Sequence, residues 1–122
     1  MGNRSLVEPG DVLVAALPRH VPTGREQEGP RPVVVVGVPP EPVRYPVVIV
    51  VPLTSQDGRW SDENPLVYPR LDPGAGGLPV RSVALLDQVR SVDAQRILEY
   101  LGTLGDADYG RIRSGLLELI DP

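Results

Sequence analysis

The sequence predicts one mainly β domain, residues 1–122, with an antiparallel, strongly curved sheet or small barrel followed by one short and one longer helix. Three observations predict this class. The chain has 122 residues, which is close to the size of one domain. Its apolar residues are mostly Val and Leu, with no Phe and one Trp, and β-branched residues favour strands. Finally, short apolar runs alternate with turns rich in Pro and Gly.

Three strands are predicted in the first half. Asp11–Leu17 is a short apolar run after a Pro-Gly turn, and the loop Pro18–Pro30 has no periodicity. Pro32–Val38 is a nearly continuous Val run, which is typical of a strand buried on both faces or at the centre of a small barrel. After a Pro-rich turn, Val47–Leu53 is the third strand. It ends in the polar residues Thr54–Gln56.

The second half is predicted to contain two more strands and both helices. Leu66–Leu71 is a short strand that Pro69 confines to a sheet edge, and Val80–Val89 is a longer strand. Asp93 caps a short helix that continues through Leu98. Asp106 caps the final helix, in which apolar residues recur at three- and four-residue spacing: Tyr109, Ile112, Leu116, Leu119 and Ile120.

Several classes of site are excluded by composition. The absence of Cys excludes disulfides, thiolate metal sites and cysteine nucleophiles. The single His20 has no second His or acid pair at ligand spacing, so it is interpreted as an exposed loop residue. Asp57, Asp62 and Glu63 share a loop but have no strand-end partner. We therefore expect neither a metal site nor a cofactor.

No apolar run is long enough to span a bilayer, and the N-terminus has no secretory signal pattern, so a cytoplasmic protein is expected. The formal net charge of −4 does not by itself indicate nucleic-acid binding. Residues 1–60 carry six Arg and six acidic residues, whereas residues 61–122 carry six Arg and ten acidic residues. Five of those ten lie at or beyond Glu99, away from the polar strand ends.

Two polar residues at strand ends are the candidates for chemistry. Arg31 directly precedes the Val run, and Thr54 directly follows the next apolar run. Neighbouring strands lie about 5 Å apart, so the two side chains can converge. An arginine beside a hydroxyl suits a phosphate and can stabilise a pentacoordinate phosphorane without a metal. The alternative is structural: Arg31 extends along a barrel rim and Thr54 ends a strand.

Segments in a fixed order resemble the MazF/PemK/Kid toxin family over residues 9 to 120. They are Gly10–Val12, Glu26-Gln27, Gly29, Arg31–Val35, Pro52–Gln56, Gly77–Pro79, Ser82–Leu85 and Asp87–Asp93. The resemblance implies an SH3-like barrel with appended helices, assembled as a homodimer. It also implies a metal-independent, sequence-specific endoribonuclease (an mRNA interferase) that cleaves single-stranded RNA and is neutralised by a MazE-like antitoxin.

In the implied reaction the substrate's 2′-hydroxyl attacks the adjacent phosphate, leaving a 2′,3′-cyclic phosphate and a 5′-hydroxyl. The family's catalytic arginine and threonine fall on Arg31 and Thr54. Arg31 is assigned charge stabilisation ahead of proton transfer, because a guanidinium stays protonated. The residues that fall where the family binds RNA are Glu26, Gln27, Ser55, Gln56 and Gln88. Neutral amides can read base edges without a basic surface.

Departures from the family pattern leave some questions open. The first loop is long and contains proline here, so the family's cleavage motif is not transferred. Trp60, in the loop after Gln56, is interpreted either as a base-stacking residue or as a packing residue. Two other functions are compatible with this fold. One is a non-catalytic toxin that acts on DNA gyrase, as CcdB does; the other is a binding module in which Arg31 has lost its role.

Overall fold

A computed structural model of the protein describes residues 7–18 and 29–121. The sequence-predicted RNA-contacting residues Glu26 and Gln27, together with His20, lie outside these ranges. The elements in the described part are β1 (Asp11–Leu17), β2 (Gly29–Gly37), β3 (Val47–Thr54), α1 (Arg59–Asp62), β4 (Arg70–Leu71), β5 (Ser82–Ala84), β6 (Arg90–Asp93), β7 (Ile97–Thr103) and α2 (Asp106–Ile120).

The strands form one curved antiparallel sheet in the order β4-β5-β3-β2-β1-β7. One edge of β3 is shared by two strands: its C-terminal end pairs with β5 and its N-terminal end pairs with β6. The chain between β5 and β6 leaves the sheet beside the middle of β3. The mainly β fold with a C-terminal helix is therefore confirmed.

The central strand β2 is buried on both faces, as its Val run predicts. Val33 and Val35 belong to one apolar cluster, while Val34 between them belongs to the other. Successive side chains of a strand point to opposite faces, so a strand with a core on each side needs an uninterrupted apolar sequence. All three Val side chains are fully buried.

Helix α2 covers one of the two clusters. Ile112 is fully buried in this cluster, and Tyr109 and Leu116 pack against it. Gly115 allows a close approach, because a Cβ there would overlap the Leu66 carbonyl and the Leu86 side chain. The N-cap residue of α2 is Gly105, not Asp106 as predicted, and Asp106 is the first residue of the helix. The last apolar residues of the predicted stripe, Leu119 and Ile120, are exposed.

The predicted strand Val80–Val89 is wrong as one element. Within this range only β5 is a strand; a 3₁₀ turn at Leu86–Gln88 follows it, and β6 begins beyond the predicted end, at Arg90. The turn carries Leu86 into the core beneath α2, where it is fully buried, and Leu86 donates its backbone N–H to the Val67 carbonyl at 3.2 Å. The break is caused by this tertiary contact.

Two other predictions are corrected. The predicted helix from Asp93 to Leu98 is only a 3₁₀ turn at Ala94–Arg96, in which the Asp93 side chain accepts from the Gln95 N–H. The chain then becomes β7, because pairing with the free edge of β1 overrides the local helical preference. The predicted strand Leu66–Leu71 is limited to the two residues of β4, which does lie at a sheet edge.

Candidate functional site

The start of β2 and the end of β3 bring the two predicted catalytic residues to neighbouring positions. The last paired residues of the two strands are Val33 and Pro52. Continued two residues beyond this last observed pair, the same antiparallel register places Arg31 opposite Thr54. Opposed Cα atoms in such a pair are about 4.5–5.5 Å apart, and both side chains then lie on one face of the sheet.

The two side chains differ in exposure. Arg31 is exposed, whereas Thr54 is half-buried at the point where β3 gives way to a loop. The Thr54 hydroxyl oxygen accepts the backbone N–H of Gln56 at 3.2 Å. This bond orders the first turn of the loop and leaves the hydroxyl hydrogen available as a donor.

A cleft of about 340 Å³ opens beside Thr54. Its walls come from the end of β3, from the loop between β3 and β4, and from the 3₁₀ turn at Leu86–Gln88. The lining residues are Thr54, Gln56, Trp60, Tyr68, Leu85, Asp87 and Gln88. Leu85 is buried and supplies an apolar floor, while the amides and the carboxylate supply a polar rim.

The loop that carries Trp60 is held by several polar contacts. Ser61 is buried; its hydroxyl donates to the Gly58 carbonyl at 2.8 Å and accepts the Gly58 N–H at 3.1 Å. Arg70 on β4 forms ion pairs with Asp62 and, at 3.9 Å, with Asp57. These contacts fix the short helix α1 against the sheet.

The same contacts explain the acidic residues of this loop. Asp57 also lies 3.4 Å from Arg81, and Glu63 pairs with Arg59 at 2.6 Å. In the described ranges no three His, Asp or Glu side chains converge in the way a metal ion requires. The acids of the loop are partners of arginines.

Tyr68 joins the loop to the 3₁₀ turn across the cleft. Its hydroxyl donates to Asp87 Oδ2 at 2.5 Å. This hydrogen bond, together with partial burial and the negative charge of Asp87, raises the pKa of Tyr68 above its ordinary value. The rings of Tyr68 and Trp60 form a T-shaped pair, with centroids 4.9 Å apart and an angle of 86° between the ring planes.

The predicted site residues are distributed unevenly around this cleft. Gln56 and Gln88 line it together with Thr54, whereas Ser55 is exposed in the turn after β3 and is not among the lining residues. Tyr68 and Asp87 were not identified by sequence reasoning. Asp87 directly precedes Gln88 in the segment Asp87–Asp93 that resembles the toxin family, and its position next to a predicted RNA-binding residue is the sequence signal for Asp87.

Among the residues that the structure describes, no helix is both long and apolar enough to cross a membrane.

Known structures share this fold. The chain is similar to MazF from Deinococcus radiodurans, with 22% identity, a TM-score of 0.71 and coverage of 95% of this chain and 97% of that one. A mycobacterial endoribonuclease in complex with its cognate antitoxin has 19% identity, a TM-score of 0.69 and coverage of 95% and 97%. The Mycobacterium tuberculosis toxin MazF-mt6 has 17% identity, a TM-score of 0.65 and coverage of 91% and 96%.

Sequence comparison identifies the family directly. No curated protein matches this sequence significantly. The sequence model for the PemK-like, MazF-like toxins of type II toxin–antitoxin systems, however, matches residues 8–120, nearly the whole chain. The protein belongs to the PemK-like, MazF-like toxin family of type II toxin–antitoxin systems.

Proposed function

We propose that this protein is a sequence-specific endoribonuclease toxin that cleaves single-stranded RNA without a metal ion. The observation that carries the proposal is the register of β2 and β3, which, continued from Val33 and Pro52, sets Arg31 opposite Thr54, a residue that lines a polar cleft. Membership of the toxin family adds support, as do the structural relatives described as endoribonucleases.

The reaction proceeds by attack of the RNA 2′-oxygen on the adjacent phosphorus. The O2′–P bond forms and the P–O5′ bond breaks, which gives a 2′,3′-cyclic phosphate and a 5′-hydroxyl. The 2′-hydroxyl loses one proton and the departing 5′-oxygen gains one, so no net proton is consumed. After the O2′–P bond has formed and before the P–O5′ bond breaks, extra negative charge develops on the non-bridging oxygens of the phosphorane.

Arg31 and Thr54 act on that charge. The guanidinium of Arg31 presents a fixed fork of donors to the non-bridging oxygens, and the Thr54 hydroxyl donates to one of them. Because a guanidinium remains protonated at neutral pH, Arg31 stabilises charge rather than abstracting the proton. The bond from the Gln56 N–H to Thr54 Oγ1 holds the hydroxyl in position.

RNA is held by neutral and acidic side chains rather than by a basic surface. Gln56 and Gln88 of the cleft offer amide donors and acceptors to bases and sugars. Ser55, in the exposed turn after β3, and the sequence-predicted contacts Glu26 and Gln27 complete the proposed set. This arrangement is compatible with a chain whose formal net charge is −4.

The proposed assembly is a homodimer that acts in the cytoplasm, where its RNA substrate is found, and that a cognate antitoxin neutralises. The antitoxin is proposed because the mycobacterial relative was solved with its cognate antitoxin, and MazF from Deinococcus radiodurans with MazE.

The test is cleavage of single-stranded RNA by the purified protein in EDTA. We expect fragments with 5′-hydroxyl ends and 2′,3′-cyclic phosphates. Arg31→Ala and Thr54→Ala should each lower kcat by about 10²–10³-fold, the usual effect of removing one group that stabilises developing charge. Arg113→Ala, which removes an exposed guanidinium from α2, is the matched control and should cleave as the wild type does.

Three results would contradict the proposal: intact RNA under all conditions, cleavage that requires an added metal, or full activity in Arg31→Ala. Inhibition of gyrase supercoiling with intact RNA would favour a toxin that acts on a protein target.

A further inference from the structure

The cleft has the shape and chemistry of a pocket for one planar, partly polar ligand. Trp60 and Tyr68 form two walls at nearly a right angle, and Leu85 closes the floor. Trp60 is 44% exposed, so much of its surface remains open to solvent. A base placed against the indole would bury that surface, and stacking of this kind is a common way in which proteins hold single-stranded nucleic acid.

Trp60 is held in place before any ligand arrives. The helix that carries it has four residues and is tied down by the buried Ser61 and by the ion pair of Asp62 with Arg70. An exposed aromatic ring on a fixed support loses little conformational freedom when it binds, which favours recognition over simple packing.

Asp87 supplies the polar edge of this pocket with a defined orientation. Its Oδ2 accepts a hydrogen bond from the Tyr68 hydroxyl at 2.5 Å, which fixes the orientation of the carboxylate. An ionised carboxylate only accepts hydrogen bonds. It therefore favours a base whose edge offers an amino group and disfavours uracil, whose O2 and O4 are acceptors on either side of a single N–H donor.

We propose that this cleft binds one nucleobase with an exocyclic amino group, stacked on Trp60 and donating to Asp87, with Tyr68 as a positioning residue for the carboxylate. The inference rests on the proposed function and adds a base specificity to it. Thr54 lines the same cleft, so the recognised base belongs to a nucleotide that adjoins the phosphate held at Thr54.

Binding can be measured without cleavage, because Trp60 is the only Trp in the protein and reports on its own pocket. The probes are 2′-O-methylated tetranucleotides of A, C or U, which lack the attacking hydroxyl. In the wild type, the A and C probes should quench Trp60 fluorescence at concentrations at least about fivefold lower than the U probe.

The U probe could bind less tightly for two reasons: it lacks the amino group that donates to Asp87, and uracil stacks more weakly than the other bases. Asp87→Asn distinguishes these two causes. An amide both donates and accepts, so this variant should bring the three probes to within about twofold of one another, while Glu118→Gln on α2 should leave the preference unchanged. Tyr68→Phe keeps the ring and removes the hydroxyl, and should give an intermediate preference. The same preference in Asp87→Asn as in the wild type, or no quenching by any probe, would overturn the inference.

Mapped cleavage sites distinguish failure of the inference from failure of the proposed function. At one position adjoining the cut, the wild type should disfavour U, and Asp87→Asn should lose this bias at that position alone. Trp60→Ala should raise KM by about fivefold or more, with most of the loss restored in Trp60→Phe. Tyr45→Ala removes an exposed aromatic ring from the turn before β3, at the end of that strand remote from Thr54, and should not change KM.

If the wild type cuts RNA and Asp87→Asn keeps the same profile, only the base assignment fails. If the wild type cuts no RNA but Trp60 is quenched selectively, the pocket stands and the proposed reaction fails.

Discussion

The two halves of the candidate site are built in different ways. Arg31 and Thr54 lie at the ends of paired strands, and their relative position follows from the register of β2 and β3. The opposite wall of the cleft, with Trp60, Tyr68 and Asp87, is made of a four-residue helix, a loop and a 3₁₀ turn. The proposed chemical residues thus depend on a regular scaffold, whereas the proposed recognition residues depend on individual side-chain contacts.

The largest expected effect on stability comes from Leu86→Ala. Leu86 is fully buried and anchors the 3₁₀ turn beneath α2. Its truncation should lower the free energy of unfolding by about 2–5 kcal/mol, as the transfer and cavity terms add. Denaturant unfolding measures this, and Leu117→Ala, at an exposed position of α2, should cost less than about 0.5 kcal/mol.

Equal stability of Leu86→Ala and Leu117→Ala would contradict this account, because the turn would then not depend on its core contact. If Leu86→Ala is less stable and also loses the base preference, the recognition wall depends on this single core contact.

The sequence predicts the strand-built half of the site far better than the other half. The bounds of β1 are as predicted, and those of β2 and β3 differ by no more than three residues, because Val runs and Pro-Gly turns are local signals. The proposed pairing of Arg31 with Thr54 follows from those two strands. The family resemblance adds Gln56 and Gln88, both of which line the cleft.

The irregular wall is set by contacts that local sequence does not encode. The turn at Leu86–Gln88 exists because Leu86 packs under α2 beside Gly115, which lies 29 residues further along the chain, so periodicity alone predicts an unbroken strand. Likewise, the segment after Asp93 has helical composition but pairs with β1. The Tyr68–Asp87 bond joins residues 19 apart in sequence, which no motif predicts.

A smaller effect is expected for Ser61→Ala. The change removes the hydroxyl that both accepts from and donates to Gly58, and so leaves the Gly58 N–H without its partner, while the Gly58 carbonyl still accepts the backbone N–H groups of Ser61 and Asp62. The free energy of unfolding should fall by about 1–3 kcal/mol. Acrylamide should quench Trp60 more efficiently as α1 loosens. Ser91→Ala, at an exposed position of β6, is the control and should change neither quantity.

If Ser61→Ala leaves both stability and Trp60 quenching at wild-type values, the loop is held by its ion pairs alone. The fixed support proposed for Trp60 would then rest on Arg70.

The smallest effect concerns the pH dependence of Tyr68. Its raised pKa means that the folded protein favours the neutral phenol. The resulting stabilisation is complete below pH 10.0, the unfolded value, and is lost as pH rises through the higher folded pKa. Unfolding midpoints should therefore fall more steeply above pH 10 in the wild type than in Tyr68→Phe. Tyr109, whose pKa is raised mainly by burial, titrates in both proteins and cancels.

Identical slopes for the wild type and Tyr68→Phe above pH 10 would contradict the hydrogen bond across the cleft. That result would remove the positioning role proposed for Tyr68 while leaving Arg31 and Thr54 untouched.

The central claim is that Arg31 and Thr54 act on the same phosphate, and a double-mutant cycle on kcat in EDTA tests it most directly. Groups that stabilise one transition-state charge together are not additive, so the double variant Arg31→Ala/Thr54→Ala should be slower than either single variant by no more than about tenfold. A double variant whose loss equals the product of the two single losses, or wild-type kcat in either single variant, would contradict the account.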